Sequence, residues 1–359
     1  MKSVNCATSL LVVSATCWLP MAASAQDSWT DSISFKGDFR PRYESIDQDG
    51  APNRDRGRFR IRVGMTAEVN DDVDVIFQLA SGGDNPVSTN QSFDGGFTRK
   101  DIGIDLAYVD WTPNDDTHVY IGKMKNPLHR AGSHALIWDS DLNPEGVAVN
   151  WESGALFATA GTFFVEERAT TDDSLLLAAQ GGMNFDIDGS ELSVGLGYYD
   201  YTDTQGNRPF WIGLPFGNSV DANGNLLFDY NQLEGFVEYS TTLGELPVAL
   251  FANYVQNTEA DANDTGQAFG VRVGKTAEPG TWQASWAWQE LEADAVIATF
   301  TDSDFGGGGT DAKGHTIKGA YVLTDHWTVG GTLFVNEVDL ASGNPRDYTR
   351  LQLDLNFAF

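Results

Sequence analysis

Basic residues recur at every second position in two early segments of the chain. In the first segment Lys36, Arg40 and Arg42 alternate with apolar residues, and they share their positions in the alternation with Asp38 and Glu44. The cations of this segment, of the next one and of the end of the chain are Lys36, Arg40, Arg42, Arg58, Arg60, Arg62 and Arg350. A period of two places side chains on one face of a β-strand. Such a row creates a positive field, so the predicted chemistry is electrostatic attraction of anions.

A second cluster of ionisable side chains lies in one segment that is basic in its first half and acidic in its second. Its members are Lys123, Lys125, His129, Arg130, His134, Asp139, Asp141 and Glu145. If this segment begins in a strand that spans a membrane, lysine is costly on the face toward lipid. We therefore expect Lys123 and Lys125 to face inward, away from lipid, and Tyr120, Gly122 and Met124 to face outward, toward lipid. Apolar residues within the segment, from Leu128 to Trp138, are suited to anchor it against a wall. We expect the segment to fold inward, with an external loop that covers an opening as the alternative.

Signals for catalysis or for metal binding are weak. The four glycines Gly306–Gly309 lack the Gly-Lys-Ser/Thr sequence of a phosphate-binding loop. The segments 221–225 and 261–266 half match a calcium loop but have no glutamate at its end. His129 and His134 are five residues apart in a loop, which is poor spacing for a metal site. We therefore expect no catalytic residue, no metal site and no cofactor, while adventitious calcium in the acidic loops stays open.

The elements that must position these residues are strands. Alternating apolar and polar residues separated by turn residues predict about sixteen of them. The predicted strands are 33–44, 58–69, 73–81, 101–111, 118–125, 146–151, 155–166, 174–186, 191–201, 232–241, 247–257, 267–276, 281–291, 314–323, 326–337 and 348–359. Their connections alternate between short turns and long loops, and the third long loop is 126–145. This rhythm predicts an all-β fold, a transmembrane antiparallel up-and-down β-barrel with both ends on the periplasmic side.

Aromatic residues favour the membrane interpretation. Trp282, Trp286 and Trp288 share one face of their strand. Near the predicted periplasmic strand ends lie Trp111, Tyr120, Trp151, Trp327 and Phe359. Amphipathic rings concentrate at the headgroup level of a bilayer. The core of a β-sandwich has the same alternation, so a secreted soluble binding protein of that fold remains an alternative.

Both ends of the sequence agree with export to a membrane. Residues 1–25 combine Lys2, an apolar stretch and Ala23-Ser24-Ala25, which predicts a signal peptide cut before Gln26. The barrel would then be residues 26–359, without cysteine, because Cys6 and Cys17 lie in the leader. The segment from Leu351 to Phe359 alternates strictly and ends on an aromatic residue, as a closing strand in lipid does.

The overall charge excludes one class of partner. The net charge is −29, and it becomes −30 once Lys2 leaves, with 21 basic against 51 acidic residues. Such acidity argues against nucleic acid as a partner. The mean hydropathy of −0.28 accompanies no second long apolar run, so spanning helices are not expected. A barrel hides its membrane character, because residues facing the lumen dilute the hydropathy.

The chain resembles the general porins of Gram-negative outer membranes. The stretches RKDIGIDLAYVDW, YIGKMKNP and IWDSDLNPEG are similar to a group of porins, as are the strand number and the distinctive third loop. The resemblance implies a homotrimer in outer-membrane lipid that passes small hydrophilic solutes and ions. It also implies that Asp139, Asp141 and Glu145 face the wall of Arg40, Arg42, Arg58, Arg60 and Arg62. A barrel hydrolase is a further alternative, although no nucleophile elbow or triad stands out.

Overall fold

The computed structural model describes residues 32–359, which form one sheet of seventeen strands. The strands are β1 (Ile33–Gln48), β2 (Arg54–Asn70), β3 (Val73–Ser81), β4 (Gln91–Ser92), β5 (Ile102–Asn114), β6 (Thr117–Lys123), β7 (Glu145–Ser153), β8 (Leu156–Glu166), β9 (Ser174–Ile187), β10 (Ser190–Tyr201), β11 (Tyr230–Leu243), β12 (Leu246–Asn257), β13 (Thr265–Gly274), β14 (Trp282–Leu291), β15 (Ala312–Thr324), β16 (Trp327–Val338) and β17 (Arg346–Ala358). Sixteen of them close into an antiparallel barrel, and β4 is a short extra strand beside β2. The predicted signal peptide, residues 1–25, lies outside the described residues.

The predicted alternation is confirmed along the barrel. On β17, Leu353 is 50% exposed on the outer face, whereas its neighbour Gln352 is 1% exposed on the inner face. Trp282, Trp286 and Trp327 are likewise exposed on the outside. Each of the sixteen predicted strands corresponds to an observed one, and β3 has the predicted bounds. A strand of period two thus presents apolar side chains outward and polar side chains inward.

The barrel closes where the first strand meets the last. β1 pairs with β2 on one side and with β17 on the other, and Arg42 lies opposite Asp354 in this seam. Gly37 and Phe359 exchange two backbone hydrogen bonds of 2.7 and 3.0 Å. A Cβ on Gly37 would lie 2.5 Å from the Phe359 ring. The missing side chain therefore lets the ring lie flat over the outer end of the seam.

Two long loops fold into the barrel. Leu136, Ile137 and Trp138 from the loop after β6 are buried together with Val296 and Ile297 from the loop after β14. Other members of this cluster project inward from strands β7 to β14. The apolar core of the protein is thus a packing of loops against the inner wall. No helix within residues 32–359 is long and apolar enough to cross a membrane.

The predicted orientation of β6 is wrong. Ile121 is exposed on the outer face opposite the exposed Val147, so Tyr120 points inward, where it packs against Tyr108 at a ring distance of 6.1 Å. Met124 is buried in the loop cluster. The prediction treated 118–125 as one regular strand, but β6 ends at Lys123 after a positive φ of 126° at Gly122. A strand that ends early no longer fixes the side on which the following residues lie.

Candidate functional site

The basic wall is the set of seven predicted cations, Lys36, Arg40, Arg42, Arg58, Arg60, Arg62 and Arg350. Pairing of β1 with β2 sets Arg40 opposite Arg60 and Arg42 opposite Arg58. Pairing of β1 with β17 brings Arg350 to the neighbouring strand. Strand spacing places such residues about 5 Å apart. The structure therefore assembles these cations on one inner face, as the alternation predicts.

Carboxylates within the same strands neutralise much of the basic wall. Glu44 is fully buried and bonds to Arg56 and Arg350, with Arg58 at 3.8 Å. Arg56 was not among the predicted cations of the basic wall, because the predicted strand began at residue 58, whereas β2 begins at Arg54. It lies on the same face as Arg58.

Two further carboxylates act in the same way. Asp38 pairs with Arg60 at 2.9 Å and with Arg62 at 2.7 Å. Asp354 receives two hydrogen bonds from Arg42, of 2.6 and 2.8 Å. A buried charge is stable only when it is paired in this manner.

Arg40 differs from its neighbours. Its Nη2 donates a hydrogen bond of 2.6 Å to the side chain of Asn90, from the loop between β3 and β5. Its buried Nε has no hydrogen-bond partner. Within residues 32–359 its guanidinium forms no ion pair with a carboxylate, in contrast to Arg42 and Arg60. Arg40 is therefore a positive charge on the inner wall that no carboxylate of residues 32–359 holds in an ion pair.

The constriction loop, residues 124–144, crosses the lumen and binds the wall opposite the seam. The Gln180 side chain on β9 accepts a hydrogen bond from the His129 backbone N–H and donates one to its carbonyl, at 2.7 and 3.0 Å. The Gly132 N–H donates to Glu238 on β11 at 2.8 Å. His134 bonds to Gln289 on β14 at 2.8 Å. Leu128, like the other predicted anchor residues, is buried, so the inward fold of this loop is confirmed.

Gly132 fits the constriction loop closely against the wall. Its φ of 62° is in the left-handed region, and a Cβ at this position would overlap the Phe251 ring of β12. Only glycine meets both conditions without strain. Buried beside this contact, His134 has its pKa lowered to about 4. Burial and the positive charge of Lys318 lower this pKa, against the effect of the hydrogen bond to Gln289, so the imidazole is neutral near pH 7.

A second loop completes the narrow region. The acidic loop, residues 292–311, places Asp304 3.3 Å from Arg42 and 2.6 Å from Arg350. These two guanidiniums hold the pKa of Asp304 below its usual range, against the effect of burial. Asp304 therefore joins β1 to β17 across the seam. Sequence reasoning missed this role, although the apolar run 295–298 is a signal that the loop is not solvated.

The two inward loops are bonded to each other. The Asp139 N–H donates to the carbonyl of Phe300 at 2.9 Å. The Asp139 carboxylate accepts from the backbone N–H groups of Asp141 and Ser303, at 2.7 and 2.8 Å. Burial and the nearby charges of Asp302 and Asp141 raise the pKa of Asp139 well above its usual range. A carboxyl group crowded by others resists ionisation.

The carboxylates expected to face the basic wall only partly do so. Asp141 lies 3.8 Å from Arg60, which agrees with the expectation. Asp139 instead bonds to loop backbone, and Glu145 pairs with Lys123 at 2.9 Å where β7 begins. Lys123 also donates to the carbonyl of Asn143 at 3.1 Å, so it joins the end of the constriction loop to the start of β7.

The remaining predicted cations lie close to the lumen. Partial burial and the positive charges of Lys36 and Arg62 lower the pKa of Lys125, which shows that Lys125 is near the basic wall. Arg130 donates to the carbonyl of Trp138 at 3.4 Å. His129 stacks on Phe236 at a ring distance of 4.9 Å. Among residues 32–359 no group of histidine, cysteine, aspartate or glutamate side chains is arranged to hold a metal ion.

A cavity of about 180 Å³ lies between the basic wall and the two loops. Arg40, Arg60 and Lys318 line it from the barrel side, and Asp139 and Asp302 line it from the loop side. Its two sides thus carry opposite charge. Such an arrangement creates a field across the lumen, which the low dielectric of the wall strengthens.

A family model described as "Putative porin" matches residues 47–214 and 216–359. A search of curated protein sequences finds no match. Among solved structures, OprB of Pseudomonas putida is similar over 92% of this chain and 95% of its own, with 13% identity and a TM-score of 0.62. OmpF of Salmonella typhi is similar over 93% of this chain and 100% of its own, with 11% identity and a TM-score of 0.58. The Rhodopseudomonas blastica porin is similar over 91% of this chain and 100% of its own, with 12% identity and a TM-score of 0.51.

Proposed function

We propose that the lumen of this protein is narrowest between the basic wall and the two inward loops. The chain belongs to the putative porin family. It forms a channel for passive diffusion of solutes in the outer membrane of a Gram-negative bacterium. Family and fold are those of a channel rather than an enzyme. The observation that carries the proposal is the position of Arg40. Its guanidinium, which forms no ion pair among the described residues, lines a small cavity across from Asp139 and Asp302.

The ion preference of the channel depends on that charge. A unit charge about 5 Å from the ion path contributes roughly 0.8 kcal/mol at the dielectric constant of water, or about a fourfold change in an ion's partition. The other arginines contribute less, because carboxylates such as Asp38 and Asp354 already oppose them. Replacing those arginines would also leave their carboxylates unpaired. Arg40 is therefore the sharpest single position to test.

The test is the reversal potential of single channels in a KCl gradient. Arg40→Gln should shift the permeability ratio toward cations, because it raises the partition of cations and lowers that of anions by up to about fourfold each near 0.1 M salt. The shift should shrink near 1 M, where the screening length is about 3 Å. The matched control is Arg99→Gln, which removes one charge from an exposed loop position. Equal reversal potentials for Arg40→Gln, Arg99→Gln and the native channel would place Arg40 outside the conducting path.

We further propose that the channel is a homotrimer, as the family resemblance implies. The exposed Phe93 and Phe97, in the loop between β3 and β5, support an interface at this side of the barrel. Large exposed aromatic residues are typical of protein contacts. Native gel electrophoresis of the detergent-extracted protein should give a trimer that heat dissociates. A single monomeric band before heating would contradict this assembly.

A further inference from the structure

A second cavity of about 180 Å³ lies between the constriction loop and strands β8 to β10. It shares no lining residue with the cavity beside the basic wall. We propose that it binds neutral single-ring aromatic molecules that carry one hydrogen-bond acceptor, with the indole N–H of Trp138 as the donor. The inference does not rest on the ion selectivity proposed for Arg40, and either can fail while the other stands.

Aromatic side chains form much of the wall of this cavity. Trp138 comes from the constriction loop and Phe300 from the acidic loop, whereas Tyr201 projects from β10. The Tyr201 ring lies 6.3 Å from that of Trp138 and 6.1 Å from that of Phe300. Rings at such distances attract each other through edge and face contacts. A further ring among them would make the same contacts with several partners at once.

Trp138 has an unused hydrogen-bond donor. The residue is 3% exposed, and its buried Nε1 has no hydrogen-bond partner within residues 32–359. Other polar groups of the lining are already bonded. Lys123 pairs with Glu145 at 2.9 Å, and the Asn143 side chain donates to Asp105 at 2.7 Å. A buried donor without a partner is destabilising, and an acceptor on the ligand would remove that penalty.

Size and charge limit the ligand further. An apolar cavity of about 150 Å³ can hold benzene, so one ring with a small substituent matches a volume of about 180 Å³. The charged residues of the lining, Lys123 and Glu145, neutralise each other, which disfavours an ionised ligand. Both are partly exposed, as is Phe164 of the lining. We therefore place the entrance of the cavity between these three residues.

The experiment uses the native protein in detergent with isotope-labelled tryptophan, whose indole N–H signals are followed by NMR. The variant Trp138→Phe identifies the signal of Trp138. Anisole carries a ring and an ether oxygen, ethylbenzene has the same size without the oxygen, and methoxycyclohexane keeps the oxygen without the aromatic ring. Anisole should shift the Trp138 signal downfield and reach saturation. Each analogue should need about a fivefold higher concentration.

Tryptophans on the outer face provide an internal control for probe that only enters the micelle. The signals of Trp282, Trp286 and Trp327, which are exposed there, should change in proportion to concentration, without saturation. If Trp138 follows the same linear course, the cavity is not a binding site. Equal saturation by ethylbenzene would show that the indole N–H is not the donor. Equal saturation by methoxycyclohexane would show that the aromatic lining does not select a ring, and either result overturns the proposal.

Filling the cavity gives a second test. Val165 on β8 lines it and packs against the loop cluster, so Val165→Phe places a ring in the space for anisole and should abolish the saturating shift. Val335→Phe makes the same change on the outer face of β16, where Val335 is exposed, and should leave the shift unchanged. A full anisole response in Val165→Phe would overturn the site. If that variant does not assemble, the three titrations of the native protein decide.

Discussion

At the scale of single residues, Glu44 holds together the ion pairs of the basic wall. It is fully buried and contacts Arg56, Arg58 and Arg350. Glu44→Gln removes one charge and leaves Arg56 and Arg58 without an ion pair, whereas Arg350 keeps its ion pair with Asp304. Breaking a buried pair in this way costs roughly 3–5 kcal/mol. We expect the temperature at which the barrel loses its compact mobility on gels to fall clearly in this variant.

Glu337→Gln provides the matched control for Glu44. Glu337 pairs with Lys313 at 3.2 Å, and both side chains are partly exposed. Such a surface pair contributes about 0–1 kcal/mol. The control should therefore melt close to the native barrel. Equal melting of the two variants would show that water in the lumen screens Glu44 and that its ion pairs add little to stability.

Asp302 should make ion selectivity depend on pH. Burial and the charge of Asp304 raise its pKa above the ordinary value of 3.8, while Lys318 acts in the opposite direction. A raised pKa means that the carboxyl group gains its proton at a higher pH than a free aspartate does. As the pH falls through that range, the lumen loses negative charge and cation preference should decrease. Reversal potentials between about pH 8 and pH 4 measure the change.

The variant Asp302→Asn tests the assignment to this carboxyl group. It should have the selectivity of the acidified channel already at neutral pH, and it should lose the part of the pH response that lies above the ordinary range of carboxyl groups. Asp139, whose pKa burial and the charges of Asp302 and Asp141 raise well above its usual range, should retain its own response. A variant with the full native pH response would assign the titration to another group.

Sequence reasoning found the cations of the site more reliably than their partners. A period of two along β1 and β2 fixes which residues share a face, so the alignment of Arg40 with Arg60 could be predicted. Asp304 contacts Arg42 from 262 positions away along the chain. No local pattern specifies such a contact, because it depends on where a whole loop folds.

At the scale of elements, the buried amide of Asn218 makes three hydrogen bonds to the acidic loop. The Asn218 side chain donates to the carbonyls of Ala293 and Val296, at 2.7 and 2.9 Å, and accepts from the Ala298 N–H at 2.9 Å. Asn218→Ala leaves the Val296 carbonyl and the Ala298 N–H without partners, each at a cost of about 1–3 kcal/mol, whereas the Ala293 carbonyl keeps its hydrogen bond from Thr310. We expect the loop to leave its position part of the time, which would give larger and noisier single-channel currents.

Asn223→Ala is the control in the same segment of chain. Asn223 is exposed, and its side chain makes only a hydrogen bond of 3.4 Å to Asp221. Its loss should change neither the size nor the noise of the currents. If Asn218→Ala conducts like Asn223→Ala, the acidic loop is held by its other contacts, such as the hydrogen bond between Ser303 and Asp139.

Whether an inward fold could be predicted for a loop depended on how clearly its sequence differs from that of a solvated loop. Charge and apolar residues mark the constriction loop, and the inward fold is correct. The acidic loop has a shorter apolar run, all buried from Ala295 to Ala298, but its glycines and aspartates are also typical of a solvated loop. The orientation of β6 failed for a different reason, since the positive φ of Gly122 is invisible in a count of alternating residues.

At the scale of the whole molecule, Phe359 fastens the seam. Its backbone forms two hydrogen bonds with Gly37, and its ring covers that glycine on the outer surface. Deleting Phe359 removes one rung of the closing ladder, with each backbone bond contributing about 0.5–1.5 kcal/mol. We expect slower and less complete assembly, measured by heat-dependent gel mobility, while the channels that do form should have native conductance. Normal assembly of the truncated chain would contradict this role.

The strand number could be predicted because every hairpin repeats the same local rule. One face of each strand is apolar, the other is polar, and turn residues separate the strands. Sixteen separate strand predictions therefore support one another. Closure itself was inferred from the porin resemblance and from the need to pair the two outermost strands. The register of the seam, such as Arg42 opposite Asp354, could not be predicted, because it depends on the stagger of all the strands together.

Asp304 reaches across the seam to Arg42 on β1 and Arg350 on β17, and this has a consequence for how the barrel is made. If the two end strands zipped together while the acidic loop was still outside, both guanidiniums would lose a carboxylate inside a wall that water reaches poorly. Such a barrel would reopen more readily than one whose loop had entered first. A stable seam therefore requires that the acidic loop is already inside the barrel, so closure of the barrel and entry of the loop are coupled.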